Sequence, residues 1–192
     1  MPNLDLILQH NEAFVEKKEY ETFLTDKFPD KKIVILTCMD TRLVELLPKA
    51  MNLRNGDAKF IKTAGAIITH PFGSIMRSIL VAIHALQASE VFVVGHHECG
   101  MVGLNSQQIV ENIKQSGVKQ ETLDTLSHSG IDVPKWLKGF NSVREGVEQS
   151  VDIVRKHPLM PPGSLVHGLI IDPRTGKLEL VDDGHTYNSM QG

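Results

Sequence analysis

At 192 residues, 41% hydrophobic and 22% charged, the chain has ordinary globular composition and is long enough to bury a real core. A formal charge of −3 excludes the basic footprint expected of a nucleic-acid binder, and no apolar stretch approaches the ~18–20 residues of a membrane span. The amino terminus, Met1-Pro2-Asn3-Leu4-Asp5, lacks the basic region and long apolar run of a secretory signal. A reducing cytoplasm is therefore the expected location. There the only two cysteines stay free, and metal binding or catalysis is the better use for them.

Taken in order, residues 3–25 read as an amphipathic helix, with Leu4, Ile7, Leu8, Phe14 and Val15 at helical spacing. This arm precedes the first strand and has little core of its own to cover, so it is expected to pack over a neighbouring subunit or the flank of the domain. Phe28-Pro29-Asp30 breaks it. A buried apolar run, Ile33-Val34-Ile35-Leu36, then ends at Thr37-Cys38-Met39-Asp40-Thr41-Arg42. Residues 43–51 carry helical signals interrupted by Pro48, and a turn at Asn55-Gly56-Asp57 leads to a short strand, Ala58 to Lys62. Phe72, Ile75, Met76, Ile79, Leu80, Ile83 and Leu86 fall at helical spacing and predict a buried helix. That helix delivers the chain to a second apolar run, Val91-Phe92-Val93-Val94, ending at Gly95-His96-His97-Glu98-Cys99-Gly100. Strand, helix, parallel strand is the right-handed crossover unit, and it places Cys99 at the same sheet edge as Cys38.

Beyond this point residues 102–127 read as helical but less amphipathic, followed by a loop over 127–134. A further helix carries Phe140, Val143, Val147, Val151 and Val154 on one face and stops at Pro158. The last strand, Leu165 to Ile171, turns through Asp172-Pro173-Arg174-Thr175-Gly176, and Leu178 to Val181 returns antiparallel as an edge hairpin. The tally is one α/β domain over 1–192: an amino-terminal arm (1–25), a core carrying the candidate site (30–102), and helices with the closing strands (103–192). Its central sheet is mainly parallel, with about four to five strands flanked by helices.

A lone cysteine at a strand end is usually a small buried hydrophobe. Here two adjacent parallel strands each run out into soft ligands, at the sheet edge where open α/β folds bind. Cys38, His96 and Cys99 then form a two-cysteine, one-histidine site with an open fourth position, the arrangement of catalytic rather than structural zinc. Two thiolates and an imidazole favour zinc over magnesium or calcium. His97 and Glu98, between the ligands, are expected to point away from the ion. Asp40 and Arg42 lie one residue apart in an irregular segment. As a bare exposed ion pair they would contribute little. Beside a zinc ion, Asp40 can close the fourth position, and the forked guanidinium of Arg42 can hold that carboxylate off the metal.

Cys38-x-Asp40-x-Arg42, Gly95-His96-x-x-Cys99-Gly100 and the Ala64-Gly65 segment together resemble the beta-class carbonic anhydrases. The resemblance covers residues 30 to 102 firmly and the remainder mainly in its order of elements. It implies reversible hydration of carbon dioxide to bicarbonate and a proton, with hydroxide on zinc as nucleophile. The ligands would be Cys38, His96 and Cys99, with the Asp40–Arg42 dyad gating and orienting. It also implies a homodimer, or a tetramer built from dimers, in which the arm embraces the partner. Two departures stand out. Many members have Arg-Asn-Ala-Gly where this chain has Lys62-Thr63-Ala64-Gly65, and the aromatic-plus-arginine set of the family's non-catalytic bicarbonate site is absent. His70 reads as a surface loop residue rather than a proton shuttle. The rival readings are hydrolysis of carbonyl sulfide or carbon disulfide on the same site, a non-catalytic zinc protein closed by Asp40, and a redox thiol protein. The last lacks a Cys-x-x-Cys pattern.

Overall fold

The structure, a computed structural model, describes residues 2–191. Its centre is β1 (Ile33–Cys38), where all six residues are buried. An apolar run of that kind suits a strand covered on both faces, which is where parallel strands belong. The sheet order is β2-β1-β3-β4-β5, with β2 (Ala58–Thr63), β3 (Glu90–His96) and β4 (Leu165–Ile171) parallel to β1 and β5 (Leu178–Asp182) antiparallel at one edge. The predicted hairpin, crossover and strand count are all present.

Successive residues of β1 serve opposite faces, as the period of two requires. Val34 and Leu36 pack with Met76 and Ile79 of α3 (Ser74–His84) and with Val147, Val151 and Val154 on the helix at Val143–Arg155. Ile33 and Ile35 join Leu43 and Leu47 of α2 (Leu43–Ala50) on the other face. The buried hydroxyl of Thr37 donates to the Val94 carbonyl at 3.0 Å, so its polarity is satisfied across the strand pair. Gly95 is required by packing: a Cβ there would lie 2.7 Å from Val147 Cγ2 and 2.8 Å from Val143 Cγ1.

Several boundaries differ from the sequence reading. The arm helix α1 spans Asn3–Glu16; Lys18 turns left-handed (φ 56°), and residues Glu19–Phe23 form a 3-10 helix. No residue of α1 is buried, so it covers none of this chain's core. Phe72 precedes α3 and is 68% exposed, outside the buried face on which its spacing placed it. The single stretch expected over 102–127 is two helices, α4 (Ser106–Gln115) and α5 (Gln120–His128), broken at Gly117 with φ 103°. The loop expected over 127–134 ends in a short helix, α6 (Val133–Trp136), started by Asp132, whose side chain accepts from Lys135 N. Helix α7 (Val143–Arg155) starts after Phe140, capped by Ser142, which accepts from Glu145 N at 3.2 Å. The closing helix α8 (Gly184–Gln191) has no counterpart in the sequence reading.

Candidate metal centre

Cys38 is the last residue of β1 and His96 the last of β3, and Cys99 follows in the turn beyond. Parallel register between β1 and β3 brings these ends together, and one ligand atom from each of the three lies within 4.8 Å of the others. All three residues are buried. The Nδ1 of His96 lies 2.8 Å from the His97 carbonyl. A carbonyl only accepts, so Nδ1 carries the proton and Nε2 presents a lone pair. That Nε2 is buried and has no hydrogen-bond partner. A buried acceptor without a partner, aimed between two sulfurs, fits a soft cation.

Backbone shape supports the sulfurs. Gly65 N donates to Cys38 Sγ at 3.4 Å, and Gly65 holds φ 78° where a Cβ would meet Phe140 Cε1 at 2.7 Å. The Cys99 thiol, with smaller help from His96 and the backbone N–H groups of Gly65 and Asp40, pulls the Cys38 pKa down against burial. Cys99 moves the opposite way, pushed up by the Cys38 sulfur and by burial. One proton thus stays between the two sulfurs, and a cation held by both would have to displace it.

Asp40 and Arg42 belong to one turn. Asp40 Oδ1 accepts from Arg42 N at 2.9 Å, and the Asp40 carbonyl accepts from Leu43 N at 3.1 Å as α2 begins. The guanidinium then forks onto the same carboxylate, Nε to Oδ1 at 3.0 Å and Nη2 to Oδ2 at 2.9 Å. These bonds hold the Asp40 pKa down at about 2. Asp40 Oδ2 also lies 3.7 Å from His96 Nε2. The carboxylate therefore stands within reach of the point where the three ligand atoms converge, and it is tethered beside that point.

The carbonic anhydrase family model matches residues 33–178, which takes in the four parallel strands β1 to β4 and both cysteines. The chain belongs to the beta-class carbonic anhydrase family. The Bacillus subtilis protein named "Putative carbonic anhydrase YtiB" is 57% identical over 96% of this chain and 99% of its own. The crystal structure of beta-carbonic anhydrase isoform I from Trichomonas vaginalis superposes with a TM-score of 0.86 at 36% identity, covering 96% of this chain and all of that one. A carbon disulfide hydrolase from Acidithiobacillus thiooxidans is also related, 28% identical over 78% of this chain and 76% of its own.

The fold also brings beside this cluster residues that the sequence reading left outside it. Glu98 is partly exposed and grips the dyad: Arg42 Nη1 donates to Glu98 Oε2 at 3.2 Å. Arg174, in the β4–β5 turn, donates to the other oxygen, Glu98 Oε1. Linear spacing gives no hint of Arg174; only the register of β3 with β4, which pairs His96 with Ile171, brings that turn alongside. Thr63 pairs with Cys38 in register, and its Oγ1 is buried without a partner. His70 is an exposed turn residue whose Nδ1 accepts from Phe72 N at 3.0 Å. It lines a cavity of about 840 Å³ with Ile67, Trp136 and Lys135, and none of Cys38, Asp40, Arg42, His96 or Cys99 lines that cavity.

A second group of metal-binding side chains, Glu90, His167 and His185, also clusters within 4.8 Å. Here both ring nitrogens of His167 have protein partners, Glu90 Oε1 at 2.9 Å and Gly184 N at 3.2 Å. That arrangement clamps the start of α8 onto β4. Unlike His96, His167 has no free lone pair.

Proposed function

We propose that this chain catalyses the reversible hydration of carbon dioxide to bicarbonate and a proton, with zinc held by Cys38, His96 and Cys99. The observation that carries the reading is the unpartnered Nε2 of His96 facing two thiols, with a tethered carboxylate 3.7 Å away. Zinc bound there supplies a Lewis acid that acidifies a water at its open position. Two anionic thiolates leave the metal less positive than three imidazoles would, so that water is less acid than in a three-histidine site.

The chain's own residues do the rest. His96 keeps its lone pair toward the centre because its other nitrogen is fixed on the His97 carbonyl. Arg42 holds Asp40 ionised and to one side, where the carboxylate accepts a hydrogen bond from the attacking oxygen and orients it. Released by Arg42, the same carboxylate would be free to act as a further ligand to that metal and close it to water. Phe140, Met101 and Ile67 pack with the cysteines and exclude water from behind the centre, which suits a small uncharged substrate.

Assembly belongs to the same reading. Helix α1 leaves Leu4, Ile7 and Leu8 exposed, so its apolar side is free for a second copy, and we read the working unit as a dimer or a tetramer of dimers. Among the described residues no helix is long and apolar enough to cross a membrane. The two buried free thiols suit a reducing cytoplasm.

A second reading, hydrolysis of carbon disulfide or carbonyl sulfide on the same centre, is favoured by the relationship to carbon disulfide hydrolases. Turnover of the zinc-loaded protein on each gas separates the two. Hydration of carbon dioxide should exceed hydrolysis of either sulfur compound by a wide margin, and the reverse order would transfer the assignment.

A further inference from the structure

The Asp40–Arg42 pair does not stand alone. Arg42 commits Nε and Nη2 to Asp40, and its remaining terminal nitrogen, Nη1, donates to Glu98 Oε2 at 3.2 Å. The Glu98 carbonyl lies 3.5 Å from Nη2 of the same guanidinium. Glu98 holds φ 58°, a left-handed backbone that residues with a Cβ seldom adopt. It thus keeps a carboxylate at a position where glycine would be the easier choice, and that geometry presents both its carbonyl and its carboxylate to Arg42. The other Glu98 oxygen accepts from Arg174.

Arg174 has its own seating. Its turn is closed by Gly176 N donating to the Asp172 carbonyl at 2.8 Å and by Arg174 N donating to Asp172 Oδ1 at 2.7 Å. The turn rests on α2, with Gly176 facing Leu46 and Ala50. Charges alternate along the row Asp40, Arg42, Glu98, Arg174, and the row runs from the edge of the metal centre to the β4–β5 hairpin. Each pair is partly exposed, with Arg42 at 40% and Glu98 at 46%, so no single link contributes much to stability. What the row can do is fix one orientation. An arginine on a partly exposed turn has many rotamers, and only a few of them keep both fork nitrogens on Asp40.

We infer that Glu98 is a positioning residue for the gate: it locks the plane of the Arg42 guanidinium so that Asp40 stays off the metal, and Arg174 anchors Glu98 in that role. The inference rests on the zinc-centred reading given above. It makes the hairpin turn, 76 residues away in sequence, part of the control of the open position.

The test uses zinc-loaded protein and azide, an anion that binds only where the metal's open position is free. Apparent azide affinity then scales with the open fraction. Measurements are made at the midpoint of the wild-type pH–rate profile, where both states are populated. Glu98→Ala and Glu98→Gln remove the same charge, but glutamine keeps an acceptor for Arg42, so the difference between them reads position and not charge. Relative to Glu98→Gln, Glu98→Ala should lower the open-to-closed ratio about two- to ten-fold, the net scale of one hydrogen bond. Azide should bind correspondingly more weakly, metal content should stay at one equivalent, and crystals of Glu98→Ala should show Asp40 turned onto the zinc. In a double-mutant cycle, Arg174→Ala should weaken azide binding in the Glu98 background and add nothing beyond its bare charge in Glu98→Ala. Equal azide affinity in the alanine and glutamine variants with Asp40 still on Arg42, or tighter binding in the alanine variant, would overturn the inference. A wild type that holds no zinc, or holds zinc and takes no azide, overturns the reading beneath it and this inference with it.

Discussion

Asp40 Oδ2 lies 3.7 Å from His96 Nε2 while the same oxygen accepts from Arg42 Nη2 at 2.9 Å. One carboxylate thus stands between two claims, a guanidinium that holds it and a metal position that would take it. The Arg42 hydrogen bonds keep its pKa down at about 2, so the contest is between two partners of an anion and protonation plays no part near neutrality.

The first expectation concerns Arg42. Arg42→Ala should leave the metal bound and free Asp40 to close the site. Activity should fall on the order of 100-fold, the scale of losing one oriented polar partner in a catalytic site. Steady-state hydration assays paired with elemental analysis check this. A crystal of the variant with Asp40 still turned away from the zinc would show that the dyad is ordinary strand-end structure.

Metal retention follows from the ligand set. Cys38→Ser, His96→Ala and Cys99→Ser should each deplete zinc, since each would remove one of the three clustered side chains proposed to hold it. A full zinc complement in any one of them removes that residue from the ligand set. Acid should have the same effect on the wild type, because protons compete with the metal for two sulfurs and one imidazole. Zinc release on titration below neutrality, followed with a chromophoric chelator, is the measurement.

The pH dependence of turnover has a definite sign. On the proposed reading, hydroxide and the Asp40 carboxylate would compete for one open position, and hydroxide becomes scarcer as pH falls while Asp40 stays ionised down to about 2. Activity should therefore rise with pH from about 6.5 to about 8.5, the range around the acidity of water on a catalytic zinc. In Asp40→Ala the slope should be shallower and the ceiling lower, since both the closing group and the orienting acceptor are gone. An unchanged profile in that variant would remove Asp40 from the gate.

Packing behind the centre gives a stability test. Gly95→Ala places a methyl 2.7 Å from Val147 Cγ2 and 2.8 Å from Val143 Cγ1, both buried or half-buried against the sheet. Overpacking of this kind costs about 1–3 kcal/mol. For a chain of this length that corresponds to a fall in Tm of several degrees, about 2–4 °C per kcal/mol. Calorimetry that finds no change would mean that α7 can move away from β3 freely.

The arm supplies a test of assembly. Fourteen residues of α1 contribute nothing to the buried core of this chain. Removing residues 1–25 should leave the melting transition of the domain largely intact but weaken dimerisation and lower activity together. Sedimentation of the truncated protein as a fully active monomer would contradict the dimer.

Much of this architecture was legible because the chemistry is local. Two apolar runs ending in Cys38 and in His96-x-x-Cys99 specify both the parallel pair and the three side chains it brings together, and the Leu165 to Ile171 strand is readable to the residue. Periodicity misled at Phe72 because spacing marks a helical face but does not say where the helix begins; α3 starts two residues later, and Phe72 packs on the ring of His157 instead. The break at Gly117 and the start of α8 rest on short-range signals that periodicity does not register. A glycine at φ 103° ends α4, and Asp183, which accepts from His185 N at 3.0 Å, begins α8. Glu98 and Arg174 are a different case. Their meeting depends on strand register and on a strained turn, and a linear sequence displays neither.

The most direct measurement is stopped-flow hydration of carbon dioxide by the zinc-loaded protein, with Cys38→Ser run alongside under the same buffer. The account predicts turnover that tracks zinc content, rises with pH and is lost in the variant. A fully zinc-loaded wild type that hydrates carbon dioxide no faster than buffer across that pH range would contradict it.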